Sequence, residues 1–474
     1  MTTTHRLRVG VAAPDLPPDD WRRAVIDAVR ALDSVDVTSV TAPDAVVSGR
    51  DVDVVIDLAG DAAVAGVPRF GLWRYGFGDG APVADGAPGT RARLYRTTGD
   101  PTAAVVLHEG WFRASSREGW GTRSVGHRVA PWCARVLRQI VLGHEDVVSA
   151  LAQPTDGCLD RRPPTGPRPF GAGLVDTLRD WRTRQRWTVG LVPLGLDEIL
   201  QRGRLPEPAW LVGQRPDRFY ADPFVLDADG EYARVMVEDY RYRSRRKGLT
   251  ELHVSRDGRL VGSREYPGLP LQASYPFLLR SHGRLFCLPE TFRARRLSVF
   301  AWDDVAGAWT FHRDLLEGFP CVDGTLLERD GRWWLFCTKQ GDEDQTDLHV
   351  FFTSAGDDWT GTWQPHPLNP VKSDTRSSRP AGALVEIDGA VYRPAQNCAR
   401  RYGASLTINR ILDLTTTSFR EEAALRLVPS PSSLWPDGMH TINSAGGVTV
   451  VDGLRVERRW GPASLVRSRR AASR

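Results

Sequence analysis

The stretch AspProPheValLeuAspAlaAspGly at residues 222–230 decides the fold, because its pattern returns along the chain. It reappears as TyrProPheLeuLeuArgSerHisGly at 275–283, AspGlyThrLeuLeuGluArgAspGly at 323–331, AlaGlyAlaLeuValGluIleAspGly at 381–389 and AlaGlyGlyValThrValValAspGly at 445–453. Each copy runs through β-formers to a turn glycine, and a second β-rich run follows, so each reads as a hairpin. Recurrence at about 50 to 60 residues marks small antiparallel sheets that cannot cover their own apolar faces and must stack on neighbours. Five copies predict a five-bladed β-propeller.

Outward from the repeats, 474 residues are enough for two domains with sizeable cores. The net charge of +4 comes from interspersed charges, except for the arginine-rich end, which reads as a solvated tail rather than a nucleic-acid arm. Lysine occurs only at 247, 339 and 372, so nearly all positive charge is guanidinium. The N-terminus carries no signal-peptide core and no segment offers the ~20 apolar residues of a membrane helix, which predicts a cytoplasmic protein without membrane insertion. Six cysteines at 133, 158, 287, 321, 337 and 398 form no CxxC pair and read as free buried thiols. No metal and no cofactor is expected.

Residues 6–60 alternate strand, helix, strand and strand, which predicts an α/β domain with a parallel, doubly wound (Rossmann-type) sheet. Its first turn, AlaAlaProAspLeuProPro, lacks the glycines of a dinucleotide site. A hairpin over 91–115 and a helix near 129–152 follow. The predicted division is an α/β domain over 1–153, a linker with a short helix over 154–186, the propeller over 187–465 and a basic tail over 466–474. The strand TrpThrValGlyLeuVal at 187–192 precedes the first repeat, and is expected to complete the last blade and close the ring.

With the repeats in register, the residue eight positions before each turn glycine occupies the same place in every blade, facing the central tunnel. That ring is Asp222, Tyr275, Asp323, Ala381 and Ala445. Carboxylates converging from non-adjacent blades are what glycosidic chemistry uses, although AspPro and AspGly are also ordinary turn starters. Tyr275 suits stacking on a sugar face. Gln396, Asn397 and Tyr402 can donate to sugar hydroxyls. His440 can hold a substrate or serve as a hydrogen-bonded scaffold residue. Glu238, Asp239 and Glu290 follow the second strands and supply an acid only if loops there fold inward.

These motifs resemble the five-bladed arabinanases and xylosidases of glycoside hydrolase family 43. More closely, TyrAlaAspProPhe (220–224), SerTyrProPhe (274–277), LeuProGlu (288–290), HisProLeuAsnPro (366–370), ArgProAlaGly (379–382), TyrArgProAlaGlnAsnCys (392–398) and HisThrIleAsn (440–443) resemble the propeller region of plant glucosamine inositolphosphorylceramide transferases. The glycosidase resemblance implies Asp222 as general base and Asp323 as the group tuning proton affinity. It departs in blade four, where those enzymes place a glutamate and this chain has SerSerArgProAlaGly with Arg379. An arginine there suits an anionic sugar through bidentate hydrogen bonding.

ValAspValValIleAspLeuAlaGly and the stretch to AspGly80 resemble folate-dependent formyltransferases over 8–145, but Trp73 to Gly80 holds neither the Asn nor the His of that family, and only Asp79 remains. The reading is a carbohydrate-active enzyme of glycan or glycoconjugate assembly, transferring an anionic sugar, with Asp222, Asp323 and Glu290 catalytic. Tyr275, Arg379, Gln396, Asn397, Tyr402, His440 and Glu238 would bind substrate. The alternatives are a non-catalytic sugar-binding propeller whose first domain docks a partner enzyme, and formyl transfer to an amino sugar.

Overall fold

The computed structural model describes residues 6–40, 47–60, 62, 64–79, 89–97, 103–113, 122–149, 153–154, 183–341 and 344–458. By contacts the chain divides into two compact units: 1–167 with 366–375 and 413–420, and 168–365 with 376–412 and 421–474.

In the first unit, Leu7–Ala12 pairs in parallel with Val35–Val40 and Val54–Asp57, and Val54–Asp57 in parallel with Leu72–Asp79. Helix Trp21–Arg30 starts where the Asp20 carboxylate accepts from Arg22 N, and it buries Trp21, Val25 and Val29. Trp21 meets Tyr75 and Phe77 edge to face at 5.2 and 5.4 Å between ring centroids. The parallel pairing expected over 6–60 is found. Strands Gly89–Thr97, Ala103–Arg113 and Gln153–Pro154 extend the sheet antiparallel, the hairpin expected over 91–115 docking on the edge of Leu72–Asp79. The helix expected near 129–152 is also corrected: it is three pieces, Thr122–Val129, Trp132–Val141 and Asp146–Ser149. Pro131 has no N–H to continue the first piece. Among the described residues no helix is long and apolar enough to cross a membrane.

The propeller has five sheets, each with a path of four hydrogen-bonded strands, one per blade. Blade one is Arg218–Ala228, Tyr232–Arg241, Arg246–Ser255 and Leu260–Glu265; blade two is Ser274–Ser281, Arg284–Glu290, Arg296–Asp303 and Ala308–Glu317. Blade three is Cys321–Arg329, Arg332–Lys339, Asp347–Phe352 and Gln364–Pro365, and blade four is Val385–Ile387, Ala390–Asn397, Ser405–Leu414 and Phe419–Leu427. Blade five joins Ile442–Ala445 and Val448–Arg458 to Thr183–Val192 and Ala209–Trp210 from the start of the array. The closing strand pairs with Val448–Arg458 from Thr183↔Arg458 to Val192↔Thr449. It therefore begins earlier than expected, and 183–186, assigned to a helix from sequence, are strand. The rest of the linker and the basic tail lie outside the described residues.

The fifth repeat is out of register with the other four. Its hairpin turns at Gly446 and Gly447, so Ala445 sits exposed beside the turn, while Asp452 and Gly453 lie inside the long second strand. Ala445 is thus removed from the tunnel ring. The alternation of that segment tolerates two positions for the turn, and pairing with Thr183–Val192 selects one. Cys133, Cys287, Cys321, Cys337 and Cys398 are free and buried.

Candidate active site in the propeller tunnel

The first strands of blades one to three break at the same place. The ladders skip between Ala221 and Phe224, Ser274 and Phe277, and Val322 and Thr325. Each bulge begins on a residue with left-handed backbone: Asp222 at φ 49, Tyr275 at 43 and Asp323 at 52. Pro223, Pro276 and Gly324 follow them, and a proline loses nothing where the ladder is already interrupted. Such φ values cost roughly 1–3 kcal/mol each for side chains like these, and they persist only where the surroundings over-determine them.

Carboxylates from the preceding blade provide that determination. Asp222 N donates to Asp452 Oδ2 at 3.3 Å, Tyr275 N to Asp222 Oδ2 at 3.2 Å, and Asp323 N to Glu290 Oε2 at 3.3 Å. The contacts then close a belt through every blade. Tyr275 OH bonds Thr325 Oγ1 at 2.9 Å, and Arg379 Nε donates to Asp323 Oδ2 at 2.7 Å. The Arg379 guanidinium lies 5.1 Å from the Tyr402 ring centre, and Tyr402 meets His440 edge-on at 5.3 Å. His440 Nδ1 stands 2.5 Å from Asp452 Oδ2 and 3.6 Å from Asp222 Oδ1.

A second tier comes from the second strands. Glu238 pairs with Ala221, Glu290 with Ser274 and Thr338 with Val322, each opposite the residue just before a bulge. Glu238 and Glu290 therefore belong to the ladder itself, which corrects their assignment to loops. Asp239 points the other way and is held by Arg218 at 2.8 Å and Arg241 at 3.4 Å. Gln396 Nε2 donates to Asp323 Oδ2 at 3.0 Å. Asn397 only knits its own loop, accepting from Ala399 N. Ala381 is buried at blade four with no polar side chain, next to Gly382 at φ 144.

Three residues of this site were missed in the sequence. Thr441 Oγ1 donates to Asp222 Oδ1 at 2.9 Å. Asp452 was hidden by the misplaced fifth turn. Lys247, on the third strand of blade one, bonds Ser274 Oγ at 2.9 Å and stands 3.6 Å from Glu238 Oε2. Its signal was rarity, a lysine retained in a chain that otherwise uses arginine.

Five carboxyls, from Asp222, Glu238, Glu290, Asp323 and Asp452, face three cations, Lys247, Arg379 and His440. Burial opposes charge on the His440 imidazole, but Asp452, Asp222 and Asp323 outweigh it and push the group up to about 9. Burial likewise works against the Lys247 ammonium, yet Glu238, Glu290, Asp222 and Asp323 hold it above the usual lysine range. Burial lifts the Glu238 carboxyl to about 7, with Lys247 pulling down and Asp222 and Glu290 pushing up. Burial also raises Asp323 and Arg379 pulls it back; at 2.7 Å we take that pair as ionised.

Asp222, His440 and Asp452 bring ligand atoms within 4.8 Å of one another, a spacing that could suit a small cation. Those atoms are already used: Asp452 Oδ1 accepts from His440 N and Thr441 N, and its Oδ2 faces Asp222 N and His440 Nδ1. The arrangement is that of an imidazolium between two carboxylates.

A model of the family described as glucosamine inositolphosphorylceramide transferase 1, N-terminal, matches residues 265–432. Glucosamine inositolphosphorylceramide transferase 1 of Oryza sativa subsp. japonica is 28% identical over 307 residues, 57% of this chain and 40% of that protein. Its counterpart in Arabidopsis thaliana is 28% identical over 274 residues, 54% of this chain and 32% of that protein. The chain thus spans two fifths or less of the length of these relatives. Among solved structures, a family 43 β-1,3-galactosidase shares 10% identity with a TM-score of 0.34 over 48% of this chain and 81% of that one. An α-L-arabinofuranosidase from Podospora anserina shares 11% with a TM-score of 0.37 over 49% and 79%. At such values neither bears on the site. The formyltransferase likeness gains nothing from these matches, and Trp73, Tyr75 and Phe77 of the corresponding stretch are buried core.

Proposed function

We propose that the propeller is a carbohydrate-active module of glycan or glycoconjugate assembly, holding a sugar on the belt that runs from Asp222 through Asp323 and Arg379 to His440. The observation that carries this reading is the convergence of buried carboxyls from blades one, two, three and five on strained bulges, since strain that the fold keeps in register is characteristic of working sites. The relatives' names, with their glucosamine and inositolphosphorylceramide, supply the substrate class: a sugar and a phosphorylated glycolipid. In its finer form the ligand is anionic, and its phosphate takes the place of Asp344, whose carboxylate stands 3.6 Å from Arg379.

A second reading is favoured by one observation. Both oxygens of Asp222 already serve Thr441 and Tyr275, as a purely structural carboxylate's would. The propeller is then a sugar-binding module without turnover. Asp222→Asn and Asp323→Asn separate the two when assayed on sugar nucleotides, with binding followed by calorimetry. An enzyme loses turnover while keeping its fold, whereas a binding module keeps most of its affinity and shows no turnover to lose.

A further inference from the structure

The tunnel carboxyls are unequally engaged. Asp222 accepts from Thr441 Oγ1 and Tyr275 N, Glu290 from Ser274 Oγ and Asp323 N, and Asp323 from Arg379 and Gln396. Asp452 takes three backbone N–H groups besides His440. Glu238 is buried to 9% exposure, and among the described residues it makes no side-chain hydrogen bond, only the 3.6 Å ion pair with Lys247. A carboxyl left without donors, in a space where carboxyls outnumber cations, is the one that takes up a proton and has it available for a ligand.

We propose that Glu238 is the residue that exchanges a proton with the oxygen of a bound sugar's glycosidic bond, and that Lys247 is the positioning residue that holds it. The inference rests on the carbohydrate reading above and assigns the proton step within it. As the C1–O bond breaks, its electron pair leaves with the exocyclic oxygen, which takes the Glu238 proton and departs as an alcohol. The incoming water or acceptor hydroxyl bonds to C1 and gives its proton to the Glu238 carboxylate, restoring the acid with nothing else consumed.

Four groups face Glu238: Asp222 from the first strand of its blade, Lys247 from the third, Glu290 from blade two and His440 from blade five. Lys247 also donates to Ser274 Oγ, which donates to Glu290 Oε1, so one ammonium ties the two second-tier glutamates together. Burial favours the protonated form of Glu238 most, Asp222 and Glu290 add to it, and Lys247 and His440 limit the effect, leaving it to titrate at about 7.

The test uses the full-length chain and paired glycosides of one sugar, 4-nitrophenyl and methyl. An activated leaving group needs no proton and an alkyl alcohol does. Glu238→Gln is expected to slow the methyl glycoside about 100-fold more than the 4-nitrophenyl glycoside, and equal slowing overturns the assignment. Infrared titration needs no substrate. A protonated-carboxyl band should disappear at about pH 7, be absent from Glu238→Gln, and persist to higher pH in Lys247→Met. A band unaffected by both substitutions also overturns it. Wild-type protein inert towards every glycoside and donor, with the titrating band present, overturns the carbohydrate reading and with it the proton step. Turnover with no such band overturns the proton step alone.

Discussion

His440 and Asp452 meet at 2.5 Å between Nδ1 and Oδ2 inside the last blade, and the same carboxylate receives the backbone N–H of Asp222 from the first. One acid therefore both charges the histidine and sets the bulge on which Asp222 stands. Trp187 of the closing strand covers the pair, its ring centre 4.1 Å from that of His440. The imidazole stays charged in the fold up to about 9, whereas in an unfolded chain it loses its proton near about 6.5.

Stability from His440 is therefore fully present below about pH 6.5 and is lost as pH rises through about 9, up to roughly 3 kcal/mol. Urea unfolding at closely spaced pH values should show this alkaline loss in the wild type and a flatter profile in His440→Gln. Equal slopes would remove the charge from the pair.

Arg379→Met takes from the buried Asp323 carboxylate the guanidinium bonded to it, and should destabilise by about 3–5 kcal/mol. The double variant Asp323→Leu, Arg379→Met should be less unstable than Arg379→Met alone, because no charge is then stranded. Chemical denaturation of the four proteins in the cycle reads the difference.

Gly382 is the blade-four neighbour of the ring and adopts φ 144, with Ile442 O 1.9 Å from where a Cβ would stand. Gly382→Ala should cost more than 2 kcal/mol or so and loosen the junction of blades four and five. Gly389→Ala, at a turn with φ 74 and open space around it, should cost about 1–2 kcal/mol. Melting temperatures of the two variants give the ranking.

Tyr275→Phe removes the hydroxyl that reaches Thr325 across blades two and three and should cost about 1 kcal/mol while the bulge remains. A cost near zero would show that the bond of the Thr325 hydroxyl to Asp323 O is enough to satisfy it.

The propeller and much of its site were legible because both depend on short-range rules. Hairpin periodicity marked the blades, and the fixed offset before each turn glycine placed Asp222, Tyr275 and Asp323 at three equivalent bulges. That offset failed in blade five, where the pattern AlaGlyGlyValThrValValAspGly allows two turns and only pairing with Thr183–Val192 chooses. Asp452 passed for a turn residue for the same reason. In the first unit, strand Leu72–Asp79 went unread, so the place where parallel pairing gives way to antiparallel stayed hidden.

By itself the sequence determined five blades, their closure by an early strand, and which residues stand at the equivalent bulges of blades one to three, since these follow from alternation and turn chemistry within a few residues. Only the tertiary structure decided the partners: that Asp452 holds Asp222, that Arg379 is committed to Asp323, and that Lys247 stands beside the Glu238 carboxyl. Those contacts join residues distant in the chain, and their strength comes from a buried, low-dielectric space that exists only once the ring has closed.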